Sequence, residues 1–311
     1  MSADAPGIYV EIEIDAPLER IWEMTQKPQL HHRWDLRFSD IQYLSRPDPE
    51  QPQRFRYTTR IGMGMGVCGE GETAGSFDAP SGQRSSALKF WSDDPKSLIR
   101  KGSGFWKYIP PADSTGRVRF LTRYDYDVRF GIAGRWVDRL AFRPLLGWAT
   151  AWSFDRLRLW AERDIDPAVS AQRWLIHFVS RVALAFIWIY QGLVPKILFQ
   201  HKDELAMLHD VGLSTGSAKV ASLATGAMEI VAGLIILLVW KSRWPLWVTL
   251  SLMPAMAVCV AIASPRMIVG AFNPIALNAA VFALAAVALI SARDLPSARR
   301  CLRRPDAGEK P

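Results

Sequence analysis

Residues Ile8 to Ile14 (IYVEIEI) alternate apolar and polar positions with the period of a half-buried strand. In APLERIWEMTQ, Pro17 stands at a first helical turn, and Leu18, Ile21 and Trp22 share one helical face. KPQLHHRW predicts a second short helix. Strands are expected at 37–44, 53–61, 67–76, 84–91 and 98–109, parted by turn-rich links such as SRPDPEQPQ and DAPSGQ. The clearest strand is RVRFLTRYDYDVRF, 117–130. Val118, Phe120, Thr122, Tyr124, Tyr126 and Val128 occupy one side, and arginines and aspartates occupy the other apart from Leu121. One side is built for a dry interior and the other for water. GRWVDRLAFRPLLGWATAWSFDRLRLWAERDI then reads as helix, with Pro144 predicting a kink or a fresh start. Its Leu145, Trp148, Ala149, Trp152 and Leu159 are placed to cover the sheet.

Beyond Trp174 the pattern changes. Only 11 charged residues fall among the 119 from Trp174 to Ala292, too few for a water-facing surface. Four apolar stretches, 175–194, 219–240, 245–263 and 273–292, approach the ~20 helical residues that cross a ~30 Å bilayer core. They predict an all-α four-helix transmembrane bundle. The first stretch breaks at Pro195 and Lys196, so Pro195 is expected to help end that helix and HKDE (201–204) to enter a loop hugging the membrane. Arg163, Arg173, Lys241, Arg243 and the arginines after 292 fall on one side, against Lys196, Lys202, Lys219 and Arg266 on the other. That bias predicts a multi-pass protein of the cell (inner) membrane with both termini cytoplasmic. Trp240, Trp244 and Trp247 fit an interfacial belt. The expected organisation is a soluble domain over 1–165, a linker over 166–173, the membrane domain over 174–293 and a basic cytoplasmic tail over 294–311, its arginines near anionic lipid.

Charge and cysteine usage narrow the classes. A pI near 9.6 raises nucleic acid as a partner. Yet the cations before 174 are matched by acids, and later ones flank apolar runs, which argues against it. Cys68, Cys259 and Cys301 are widely spaced and form no CxxC pair, so neither a disulfide framework nor a zinc site is implied. MSADAPGIYVEIEID has no basic start followed by an apolar run, so no cleavable signal peptide is expected.

Two resemblances follow from these residues. WIYQGLVPKILFQHKDELAML, TGAMEIVAGLIILL and FNPIALNAAVF, in that order, resemble the DoxX-like family of small four-helix membrane proteins across about 174–292. That resemblance implies a membrane location and an association with redox or quinone-linked processes. YVEIEIDAPLERIWEMTQKPQLHHRWD, with the strand run and closing helix, is similar to the helix-grip fold of the START-related, polyketide cyclase-like (SRPBCC) superfamily across about 7–163. It implies an α+β domain, a curved antiparallel sheet over a long C-terminal helix, with a hydrophobic cavity between them for a lipid, polyketide, isoprenoid or other apolar molecule.

Candidate site residues follow from both parts. Trp22, Trp34, Tyr57, Trp91, Phe120, Tyr124, Tyr126, Trp148 and Trp152 supply aromatic surface for core packing or for that cavity, with Tyr124 and Tyr126 the candidates for polar contacts inside it. Within the membrane stretches, Arg181 and Glu229 lie ~6 Å apart along the bundle axis if the two helices are antiparallel. They either border a polar site with Asn278, His177, Tyr190 and Gln191, able to hold a quinone headgroup or relay a proton, or merely lock two helices together, with Arg181 reaching toward the interface. Gly226 and Gly233 are expected to permit close helix packing. His31 and His32 point to different helix faces and lack partners for a metal. GMGMGVCGEGETAG (62–75) lacks the context of a phosphate-binding loop, and its methionines are candidates for a cavity mouth. No catalytic constellation is legible and no cofactor is evident, a quinone being the one candidate. The expected function is membrane-tethered binding or handling of an apolar small molecule (lipid, isoprenoid or quinone). The alternatives are a cyclase-like enzyme, a subunit of a membrane redox system, or a docking partner for another membrane protein.

Overall fold

The computed structural model describes residues 7–48, 50–62, 65–111, 116–271 and 273–305. The chain divides into two compact units, Met1–Ala171 with Pro296–Pro311, and Gln172–Leu295.

The first unit is α+β. Strand β1 (Ile8–Ile14) leads into helices α1 (Leu18–Gln26) and α2 (Pro28–Trp34). Six strands follow: β2 (Asp40–Tyr43), β3 (Arg54–Gly62), β4 (Met65–Asp78), β5 (Arg84–Trp91), β6 (Ile99–Ile109) and β7 (Val118–Val128). Helix α3 (Gly131–Val137), a π-helical turn (Asp138–Phe142) and the long helix α4 (Arg143–Arg163) come next. The seven strands form one antiparallel sheet in the order β1-β7-β6-β5-β4-β3-β2. Opposed residues share a face. The pairs Ile8↔Tyr124, Val10↔Thr122, Ile12↔Phe120 and Ile14↔Val118 therefore gather the apolar rows of β1 and β7 on the concave side. Register shifts at Arg60/Gly62, Thr73/Gly75 and Ile99/Lys101 bend the sheet. α4 crosses the concave face, its Phe154 stacked on Phe120 with ring centroids 4.5 Å apart. This is the helix-grip fold. Ahead of Pro144 the helix widens into the π turn, where Arg143 N–H bonds to the Asp138 carbonyl. That register change carries the helix past a residue with no N–H, so Pro144 causes a local rewinding rather than a break.

The run Thr150–Leu157 of α4 is buried on every side, Asp155 and Arg156 included. Arg156 donates to the carbonyls of Arg33, Trp34 and Pro167 on one side, and the returning chain covers another. Ser297 N–H donates to Asp155 Oδ2 (2.7 Å), Cys301 Sγ–H donates to the Ala151 carbonyl (3.2 Å), and Leu302 exchanges two 2.9 Å backbone hydrogen bonds with Glu11 of β1. The stretch expected as a basic tail from 294 is thus, over 296–305, a strap across the first unit. Residues 306–311 of that tail lie outside the described residues.

The second unit contains α5 (Pro167–Gln191, which begins in the first unit), a π-helical turn (Gly192–Leu198), α6 (Lys202–Asp210), α7 (Thr215–Leu238), α8 (Trp244–Ala263) and α9 (Pro274–Ile290). The linker expected at 166–173 is helix from Pro167 onward, because proline at a first helical position has its φ already set. Three helical segments, Pro167–Leu198, Thr215–Leu238 and Trp244–Ala263, are long and apolar enough to cross a membrane. α9 has 17 residues, at the lower limit for a span. Leu184, Ala185, Ile236, Leu246, Met253, Val281, Ala285 and Ala288 form the bundle core. Pro195 does not end the first helix. The π turn runs through it to Leu198, with Phe199 N–H bonded to the Val194 carbonyl (3.1 Å). His201 then caps α6, so HKDE is a helix start rather than an open loop.

Gly226 and Gly192 bring α7 and the π turn together. A Cβ at Gly226 would stand 2.7 Å from the Gly192 carbonyl oxygen and 2.9 Å from Lys196 Cβ. Gly233 meets α5 in the same way, 2.9 Å from the Ala185 carbonyl oxygen.

Candidate functional site

The concave face of the first unit carries an ordered aromatic floor. On the middle strands, Gly69 and Gly71 of β4 and Gly102 of β6 leave bare backbone, and the rings of Tyr57, Phe55 and Phe90 lie where their Cβ atoms would be. The glycine-rich stretch at 62–75 therefore belongs largely to a strand that aromatic side chains roof over. Met63 lies outside the described residues, and Met65 is exposed on β4.

At the deep end of this floor sits a buried charged cluster from the α2–β2 link. Asp35 is 1% exposed. Arg37 donates to it twice, Nε to Oδ1 at 2.9 Å and Nη2 to Oδ2 at 2.6 Å. His31 Nε2–H donates to Asp35 Oδ2 at 3.0 Å, which fixes that ring's tautomer. The Arg37 guanidinium lies 5.3 Å from the centroid of the Tyr124 ring, and the Tyr124 hydroxyl pairs with Thr150 Oγ1 of α4 (2.8 Å). Phe38 links cluster and floor, 5.2 Å from His31 and 5.5 Å from Tyr57 between ring centroids.

The electrostatics follow from this packing. Burial opposes the Asp35 charge, yet the Arg37 guanidinium and the hydrogen bonds from His31 and Arg37 hold its carboxyl well below the usual range. Burial outweighs the Asp35 contact at His31 and pushes its pKa down. Burial also raises Tyr124, and it pushes the Tyr57 phenol up to about 12. The cluster at neutral pH is thus a carboxylate–guanidinium pair with a neutral imidazole and a neutral phenol beside it.

The nine expected aromatic residues do not line one cavity. Trp34 and Phe120 are fully buried core, packed with Trp106 and Phe154. Trp22 is edge-on to Tyr108 (5.0 Å) beneath Arg84, beside a separate Tyr108–Thr25 hydrogen bond of 2.6 Å. Trp148 and Trp152 stack on each other along α4, with Arg156 over Trp152. Trp91 is on the outer face of the sheet. It pairs with Glu70 and Lys101 and lies under Arg54, because strand alternation gives Phe90 the inner position. Tyr126 belongs to another network, donating to Asp138 Oδ1 (2.6 Å), while Asp138 Oδ2 accepts from Arg143 Nε (3.0 Å). Of the nine, Tyr57 and Tyr124 join the floor and the cluster, and Trp34 stacks on His31 from the core side with ring centroids 5.0 Å apart. His31, Asp35, Arg37, Phe55 and Phe90 complete floor and cluster, and sequence reading missed them as site residues. Two hollows lie elsewhere. One of about 680 Å³ is lined by Glu11, Arg117, Arg158, Glu162 and Arg300 among others. One of about 420 Å³ lies on the outer face around Phe77 and Phe105.

In the membrane unit the expected Arg181–Glu229 pair does not form. Arg181 is fully buried and turns to the C-terminal end of α7, donating to the carbonyls of Ile236 (3.0 Å), Val239 (3.1 Å) and Trp240 (2.6 Å). Helix C-termini leave carbonyls without helical partners, so a guanidinium there has acceptors that a lone carboxylate cannot match. Glu229 instead meets Lys196 of the π turn at 3.1 Å, and Lys196 also reaches Glu204 of α6 at 3.1 Å. His177 Nδ1–H donates to the Ala288 carbonyl (2.8 Å) and meets Trp240 edge-on. Tyr190 is exposed beside Phe186, Gln191 ends α5, and Asn278 is half-buried on α9. The six residues are therefore dispersed over at least two contacts. Among the described residues no group of three or more His, Cys, Asp and Glu could hold a metal ion.

Fold and sequence together define a membrane protein with a helix-grip unit and a DoxX-like bundle. The family model described as DoxX-like family matches residues 185–286. The uncharacterized membrane protein YndG of Bacillus subtilis (strain 168) is 45% identical over 237 residues, covering 76% of this chain and 79% of that protein. The chain belongs to the same family of membrane proteins as YndG. Solved structures similar to the first unit include the STAR-related lipid transfer protein of Xanthomonas axonopodis, 14% identical, covering 50% of this chain and 94% of that one, with a TM-score of 0.36. Another is the Zhui aromatase/cyclase of Streptomyces sp. R1128, 14% identical, covering 50% and 98%, with a TM-score of 0.35. The fold assignment itself stands on the strand order and registers given above.

Proposed function

We propose that the helix-grip unit binds an apolar small molecule with a polar end, such as a lipid, isoprenoid or quinone, beside the membrane that the second unit spans. The observation that carries this reading is the aromatic floor of Phe55, Tyr57 and Phe90 running to the buried His31–Asp35–Arg37–Tyr124 cluster. The rings offer an apolar bed, and Arg37 and Tyr124 offer donors to a carbonyl or hydroxyl at its end. Native mass spectrometry of the full-length protein in detergent tests it. An apolar small molecule is expected to travel with the protein, and Phe90→Ala, which alters a half-exposed ring, should lower its occupancy severalfold with the melting temperature little changed. A protein that carries no such molecule and takes up none from added isoprenoid quinone or phospholipid would sink the reading.

A cyclase-like reaction is the second reading, favoured by the neutral His31 held in one tautomer by Asp35. It separates from simple binding if His31→Gln abolishes turnover of a bound polyketide or isoprenoid while occupancy persists.

We further place both termini in the cytoplasm of the cell, on the bias of Arg163, Arg173, Lys241 and Arg243 over the opposite loops. An alkaline phosphatase reporter joined after Arg304 is expected to be inactive. An active fusion would reverse the orientation.

A further inference from the structure

The segment between β7 and α4 has an apolar face that nothing among the described residues of the first unit covers. Ile132 is 68% exposed and Leu140 71%, and Phe130, Trp136, Val137 and Leu145 are each more than half exposed. At 3.6 residues per turn, Ile132, Trp136 and Leu140 form one stripe along α3 and its π turn, with Val137 beside it. The opposite side is anchored. Gly134 is buried, with no room for a Cβ against the Arg129 carbonyl, and Asp138 is buried between Tyr126 and Arg143. The segment is therefore pinned by one face and presents the other.

Charge says what that face meets. Arg135 and Arg139 flank the stripe, exposed and with no ion pair among the described residues. Asp138 is the one acidic residue between Phe130 and Phe154, and it is turned inward and paired. An apolar stripe with tryptophan, edged only by arginine, matches the headgroup boundary of an anionic bilayer. A soluble surface rarely shows so continuous an apolar patch. The chain also keeps such a surface within reach. Three residues separate the end of α4 at Arg163 from the start of α5 at Pro167, α5 runs on into the first span, and the strap at 296–305 follows shortly after α9. Two short covalent tethers give the segment a high effective concentration at the membrane.

We infer that Gly131–Phe142 lies in the headgroup region of the membrane this protein spans, with Arg135 and Arg139 on anionic lipid. The test uses the full-length protein with Cys68 and Cys259 changed to serine, in nanodiscs of phosphatidylcholine with or without phosphatidylglycerol. A nitroxide is attached at Leu140→Cys, or at Lys101→Cys as a water-facing reference. The expected result is a label at 140 relaxed by oxygen and shielded from a nickel chelate, its oxygen-to-nickel ratio severalfold above that at 101. Removing phosphatidylglycerol, or introducing Arg135→Gln with Arg139→Gln, should move the label toward nickel. A label at 140 as open to nickel as that at 101 would overturn the inference, and so would one shielded from both reagents, which means a protein covers the stripe. Equal depth in both lipid mixtures would overturn the role of anionic lipid.

Discussion

Arg181→Leu is expected to cost the membrane unit about 3 kcal/mol or more, read as a lower melting temperature and a smaller monodisperse peak after heating in detergent. Arg181 donates to three carbonyls at the end of α7, with Ser242 O a further 3.4 Å contact, and its guanidinium lies 5.3 Å from the Trp240 ring centroid. Leucine would fill part of the space and leave those acceptors without a partner. Arg181→Lys keeps a charge but only a point donor, so it should fall between the parent and leucine. Glu229→Gln should cost less, because Lys196 keeps Glu204. A leucine variant that melts with the parent would remove the capping role.

Asp35→Leu is expected to be comparably damaging, by about 3–5 kcal/mol, because it strands the Arg37 charge in the interior. Replacing both partners, Asp35→Leu with Arg37→Met, should recover part of that loss. The pH dependence has a definite sign. His31 has a lowered folded pKa, so its contribution falls away as acid charges the unfolded imidazole below about pH 6.5. Asp35 is also depressed, so its contribution is present above about pH 4 and is lost as pH falls toward the folded pKa. The parent should lose stability in two stages on acidification, and Asp35→Leu should show a smaller lower stage, the remainder coming from Asp94, whose carboxyl is also held below its ordinary range. Melting temperatures across pH 3–8 decide it. A single stage shared by both proteins would remove Asp35 from the account.

The parts of this architecture that follow a period were legible. The alternation at Ile8–Ile14 and through β7, and the long apolar runs after Trp174, need only local pattern. The site was less so. Arg181 was matched with a side chain because sequences display side chains, whereas its partners are backbone carbonyls that exist only once α7 ends at Leu238. Lys196 looked like a residue leaving the membrane, and the continued helix through Pro195 turned it inward to Glu229. Trp91 and Phe90 differ by one position, and only the register with Gly71 and Gly102 says which faces inward. In the sequence His31 is a helix residue without metal partners, and Asp35 simply follows the helix expected over KPQLHHRW. Their union with Arg37 depends on the turn after Trp34 folding back.

The strap at 296–305 has a consequence for biosynthesis. Glu11 gains its backbone partner Leu302, and Asp155 its contact with Ser297, only after the ribosome has made the whole of Gln172–Leu295. The amino-terminal module thus waits, unfinished, while the hydrophobic helices enter the lipid. Its last layer can be completed only once the whole of the membrane unit has been synthesised.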